Sequence, residues 1–126
     1  MKEEKFSIAK RLKSFTYAFA GLKVLFKEEH NAWIHLFATL CVIVAGILFK
    51  ISLLEWVAVA FAIGLVFSFE IMNTSVENIA DFICPERDDR IKRIKDLAAA
   101  AVLVSAITAA VVGLLVFVPK ILELFS

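Results

Sequence analysis

The chain has 126 residues, 61% of them hydrophobic, a formal net charge of +1 and a mean hydropathy of +0.85. Its length sets one domain as the expectation, and its apolar share lies well above that of a soluble domain. The near-neutral balance excludes a protein built to hold nucleic acid, and two cysteines exclude a disulfide framework.

Residues 6–28 carry Ile8, Leu12, Phe15, Phe19, Leu22 and Phe26 at alternating spacings of four and three, with Lys10, Lys13, Lys23 and Lys27 between them. This pattern predicts an amphipathic helix lying on a membrane surface or against a bundle. It is too charged to span. Basic residues open the chain, but no uninterrupted apolar stretch follows before about residue 32, so the start does not read as a signal peptide.

Three apolar segments follow, at 32–49, at 53–69 running on helically to 82, and at 97–118. As helices the first and third are about 27 and 33 Å long at about 1.5 Å per residue. Both are close to the roughly 30 Å hydrocarbon layer of a bilayer. They lack the polar face that a soluble helix shows to water. The expected fold is an all-α membrane protein, one domain over 1–126, with a surface helix and three spans.

Ser52-Leu-Leu-Glu55 is a capping-box pattern, so the first two spans are expected to join in a very short hairpin. Pro85 stops the second helix, and the charged stretch 83–96 reads as the other connection. Cys41, inside an apolar run, reads as a small core residue. Neither cysteine has His or Cys neighbours at zinc-ligand spacing.

Orientation follows from Lys and Arg. Lys2, Lys5, Lys10, Arg11, Lys13, Lys23 and Lys27 precede the first span, and Arg87, Arg90, Lys92, Arg93 and Lys95 follow the second. The hairpin at 50–55 holds only Lys50. The N-terminus and the charged connection are therefore expected in the cytoplasm. The third span carries Ala101, Ser105, Ala109 and Gly113 four apart, a packing stripe for close helix approach in lipid.

One stretch breaks the apolar character without breaking its period. In "FEIMNTSVENIAD", residues 69–81, Glu70, Asn73, Glu77 and Asp81 share one helix face. Glu70 is the deepest, about 10 Å from Glu77 along the axis. An acid near a bilayer centre costs on the order of 2.5–3.5 kcal/mol on insertion scales, and such residues mark reaction or ion sites. A shallow carboxylate suits Mg²⁺ that bridges phosphates. A deep one suits proton abstraction from a hydroxyl. The cations from Arg87 to Lys95 could grip polyphosphate, and no Gly-rich phosphate loop occurs. Glu28 and Glu29, at the end of the amphipathic helix, lie at the same membrane face as Glu77; taken alone, such a pair reads as solvated charge.

The stretches "EIMNTSVE" at 70–77 and "IKDLAAAAV" at 94–102, with Gly21 and then Glu29-x-Asn31, resemble the small prokaryotic diacylglycerol kinase and undecaprenol kinase family. The resemblance runs over nearly the whole chain. It implies a homotrimer in the bacterial cytoplasmic (inner) membrane that uses ATP and Mg²⁺ to phosphorylate a lipid hydroxyl. It places Glu70 on the catalytic base and Glu29 and Glu77 on the metal ligands. Nucleotide contacts fall on Lys10, Tyr17, Glu29, Asn73, Glu77, Glu86, Arg87, Asp88, Lys95 and Asp96. Lipid contacts fall on Lys10, Phe15, Phe19, Asn31, His35 and Glu70. Where Lys10 stands the family often has Arg, and Arg11 is adjacent. Glu29-His30-Asn31 and Ile34-His35 look more like the undecaprenol kinase branch. Two readings from other classes compete: a membrane scaffold whose polar stripe holds helices together, and an ion-pathway subunit. The first predicts no nucleotide binding. The second predicts acids spread across the bilayer, whereas here they cluster at one face.

Overall fold

A computed structural model describes residues 5–126; Lys2, counted above for orientation, lies outside the described residues. Four helices follow one another: α1 (Ile8–Glu28), α2 (His30–Leu48), α3 (Leu53–Ile83) and α4 (Asp89–Leu124). The last three are long and apolar enough to cross a membrane.

Ser7 caps α1, its Oγ accepting the Lys10 N–H at 3.4 Å. A single residue separates α1 from α2. The Glu29 N–H closes α1 on the Leu25 carbonyl at 2.8 Å, while its carboxylate caps α2 by accepting the Asn31 N–H at 3.2 Å. The corner is held by Trp33, whose indole N–H donates to the Phe26 carbonyl at 2.8 Å and whose ring meets Phe26 edge-on. Leu25 and Ala32 are buried beside it. The rest of the α1 apolar stripe, from Ile8 to Phe19, is uncovered by this chain.

α2 ends in a Schellman motif: the Ile51 N–H bonds the Gly46 carbonyl and the Lys50 N–H bonds the Ile47 carbonyl. Lys50 takes the left-handed conformation, φ 52°, that this motif requires after the cap. Ser52 and Glu55 then form the expected capping box, so the hairpin occupies only four residues.

α3 and α4 form the main packing unit, and α2 rests on α3 more lightly. At the hairpin end Ile51, Val59 and Val116 are buried with Trp56, Phe49 and Phe117 around them. Gly46 makes room there: a Cβ on it would lie 2.5 Å from Trp56 Cη2. Lys120 and Glu55 close this end with an ion pair at 3.0 Å. The small-residue stripe of α4 faces inward, with Ser105 1% exposed.

Two expectations need correction. The charged stretch 83–96 is not all connection: only residues 84–88 are, because Asp88 caps α4 and accepts the Arg90 N–H at 2.8 Å. The helix that carries the 97–118 stretch runs from Asp89 through Pro119 to Leu124. Cys41 is not in the core but exposed on the outer face of α2.

The chain exposes 10012 Å², against about 6,700 Å² for a compact soluble monomer of its mass. Phe37, Leu48, Phe61 and Leu115 are among the large side chains left uncovered. Lipid or further protein must cover them.

Candidate active site

α3 has 31 residues and is therefore about 46 Å long. Glu70 lies about 26 Å from its start, near the far boundary of a roughly 30 Å hydrocarbon layer. The stripe emerges from cover with height: Glu70 is 1% exposed and Asn73 7%, Glu77 is half-buried, and Asp81 is exposed.

Glu70 is met from α2. His35 Nε2 lies 2.9 Å from Glu70 Oε1. Besides this contact, that oxygen has no partner among the described residues. Asn73 Oδ1 and Thr74 Oγ1 are likewise buried and unpartnered. Three such atoms within five residues of one helix mark a place where another polar group belongs. Glu29 and Glu77 both lie within electrostatic range of Glu70. Asn73 Nδ2 donates to Glu77 Oε1 at 3.4 Å.

The polar end is tied to neighbouring elements. Asn78 donates to Glu28 Oε2 and to the Thr74 carbonyl, both at 2.9 Å, linking α1 to α3. Lys95 on α4 bonds Asp81 at 2.5 Å. Lys92 and Asp96 pair one turn apart on α4. In the connection, Arg90 holds Asp88 below its ordinary carboxylate value through side-chain and backbone hydrogen bonds. Burial first, then the hydrogen bond and charge of Glu86, push the Cys84 thiol up.

Below the His35–Glu70 contact a cavity of about 280 Å³ runs between α2, α3 and α4. Thr39, Val42, Val66, Phe67 and Ala110 line it, with His35 among them. Carboxylates on one side and an apolar slot on the other can receive a molecule with a hydroxyl head and a hydrocarbon tail.

The fold thus joins Glu29, His35, Glu70, Asn73 and Glu77. Lys10 and Tyr17 line a separate shallow hollow on α1 with Lys13 and Ser14. Phe15 and Phe19 are exposed on the same helix, and Asn31 and Arg87 are exposed too. Sequence reasoning missed the Glu28–Asn78 tie and the buried Thr74. Thr74 sits one residue from Asn73 on the same helix, but nothing in the spacing singles it out.

A small multi-span membrane protein with an acid cluster at one end is the class that fold and site define. Residues 16–117 match the family profile described as prokaryotic diacylglycerol kinase. The chain belongs to that family and is a lipid kinase, with ATP as its phosphoryl donor. It is 34% identical over 120 residues to the undecaprenol kinase of Bacillus subtilis (strain 168), covering 95% of this chain and 98% of that one. It is 35% identical over 114 residues to a diacylglycerol kinase of Synechocystis sp. (strain ATCC 27184 / PCC 6803 / Kazusa), covering 90% of this chain and 65% of that one. The scaffold and ion-pathway readings give way to the kinase.

Proposed function

We propose that the chain phosphorylates a membrane lipid alcohol at the Glu70 cluster, and that Glu70 is its base. The observation that carries this reading is a buried carboxylate, Glu70, at the junction of an apolar cavity and a group of acids. Glu70 removes the proton of the lipid hydroxyl, and the hydroxyl oxygen attacks the γ-phosphorus of ATP. The bond from that phosphorus to the β,γ-bridging oxygen breaks, and ADP leaves. Two phosphoryl-transfer requirements, positioning and charge neutralisation, fall on the surrounding side chains.

Glu29 and Glu77 are the proposed Mg²⁺ ligands. Among the described residues no group of three His, Cys, Asp or Glu converges on one point. Two carboxylates suit Mg²⁺, which takes the rest of its oxygens from phosphates and water. The unpartnered Asn73 Oδ1 is a further hard oxygen on the same face. When bound, the ion neutralises charge on the phosphates. Lys10, Tyr17, Asn73, Glu86, Arg87, Asp88, Lys95 and Asp96 are the proposed nucleotide contacts, and Phe15, Phe19 and Asn31 the proposed lipid contacts. A homotrimer, which the family resemblance implies, would cover part of the uncovered apolar surface. The Lys and Arg bias supports a bacterial inner-membrane protein with its N-terminus and site in the cytoplasm.

A prenol is the first lipid to test, since the undecaprenol kinase relative aligns over nearly its whole length. The assay is purified protein in lipid with ATP, Mg²⁺ and either undecaprenol or diacylglycerol, reading phosphorylated lipid. Glu70→Gln is expected to lower turnover about 10²–10⁴-fold, the usual loss of a positioned base, with the fold retained. Near wild-type turnover by this variant removes Glu70 from the role.

A further inference from the structure

Glu70 has two oxygens, and a base works only if the right one faces the hydroxyl. Its own helix offers no anchor: no hydrogen bond from α3 reaches Oε1. α4 offers none either: between Leu97 and Pro119 its two hydroxyl side chains, Ser105 and Thr108, donate within α4, and the other residues are apolar. The ionisable groups around Glu70 are Glu29 from the α1–α2 corner, Glu77 from α3 and His35 from α2. Two of these are acids and repel a carboxylate. His35 alone among them can hold it, and its Nε2 is already 2.9 Å from Oε1.

The imidazole is itself held in place. Its ring meets the Phe67 ring edge-on at 6.4 Å. Where α2 otherwise packs lightly on α3, this polar contact spans the gap between them. It also places Glu70 in register with Glu29, six residues earlier on the same helix as its N-cap.

We propose that His35 is the positioning residue of the Glu70 carboxylate, holding Oε1 so that the other oxygen is free for the lipid hydroxyl. This rests on the reading of Glu70 as base and assigns His35 to the carboxylate rather than to the lipid. A misplacement of about 1 Å at such a group can cost on the order of 10²-fold in rate.

The test is full-length protein in lipid, with Mg²⁺, ATP and the lipid alcohol that the wild type phosphorylates. His35→Ala and His35→Phe are expected to lower kcat about 10- to 100-fold, with the KM values for ATP and lipid within about twofold. His35→Gln, whose amide N–H can take the place of Nε2, is expected to recover most of that loss. His35→Phe keeps the ring volume, so a collapse of the cavity shows as a lowered melting temperature in His35→Ala but not in His35→Phe. An unchanged kcat in His35→Phe overturns the proposal. So does an equal loss in His35→Gln, or a loss that lies in the lipid KM. A fully active Glu70→Gln enzyme is a different failure, that of the base itself, and appears whether or not His35 matters.

Discussion

Glu29 serves two ends at once. It caps α2, and it lies within electrostatic range of Glu70. Replacing it by Ala would remove both, and loss of a cap alone costs about 0.5–2 kcal/mol. Glu29→Asn separates them, because Asn is an equally good cap but carries no charge. With Glu77→Gln it forms a matched pair. Both variants are expected to raise the Mg²⁺ needed for half-maximal turnover about tenfold or more, since even supporting groups of metal ligands cost that much. A Mg²⁺ titration that leaves both midpoints at the wild-type value takes the ion away from these two residues.

Lys50 is the place where one helix-ending motif and one residue type disagree. The left-handed conformation costs an ordinary side chain about 1–2 kcal/mol and costs glycine almost nothing. Lys50→Gly is therefore expected to raise the melting temperature of the protein in detergent, and Lys50→Val to lower it; the reverse order refutes the left-handed assignment. Sequence gave away the neighbouring capping box because Ser52 and Glu55 are three apart. It did not reveal the Schellman motif, which glycine normally announces. The α4 start was hidden in another way: a dense run of charge reads as solvent-exposed chain, yet Asp88 and Asp89 are good residues for a helix N-terminus. The same contrast holds in the site. Glu70, Asn73 and Glu77 were legible because one helix spaces them three and four apart. The His35–Glu70 and Glu28–Asn78 contacts join residues 35 and 50 positions apart, and no local period records them.

The charge bias orients the whole molecule, and two cysteines at different depths can report on it. Cys84 is half-buried at the end of α3, with Sγ 3.5 Å from the Glu86 carbonyl oxygen. Cys41 is left uncovered by this chain on α2, inside its apolar stretch. A membrane-impermeant maleimide is expected to label neither in intact cells. After permeabilisation it should label Cys84 and spare Cys41. Because the Cys84 thiol is pushed up, less of it is thiolate at neutral pH, so its labelling rate should climb as the pH is raised. Labelling of Cys84 from outside intact cells would invert the topology and separate the site from cytoplasmic ATP.

The light packing of α2 on α3, beside the close packing of α3 on α4, has a consequence for biogenesis. Translation delivers α1 and α2 first, but their eventual neighbour is not secured until the last helix has left the ribosome. α2 must wait in the bilayer as a solitary span, with His35 still lacking Glu70. Both residues precede α4, yet α3 is packed closely only once the C-terminal hairpin has closed. A nascent chain cut short within α4 should thus already possess every acid of the cluster and hold it less firmly than the finished protein.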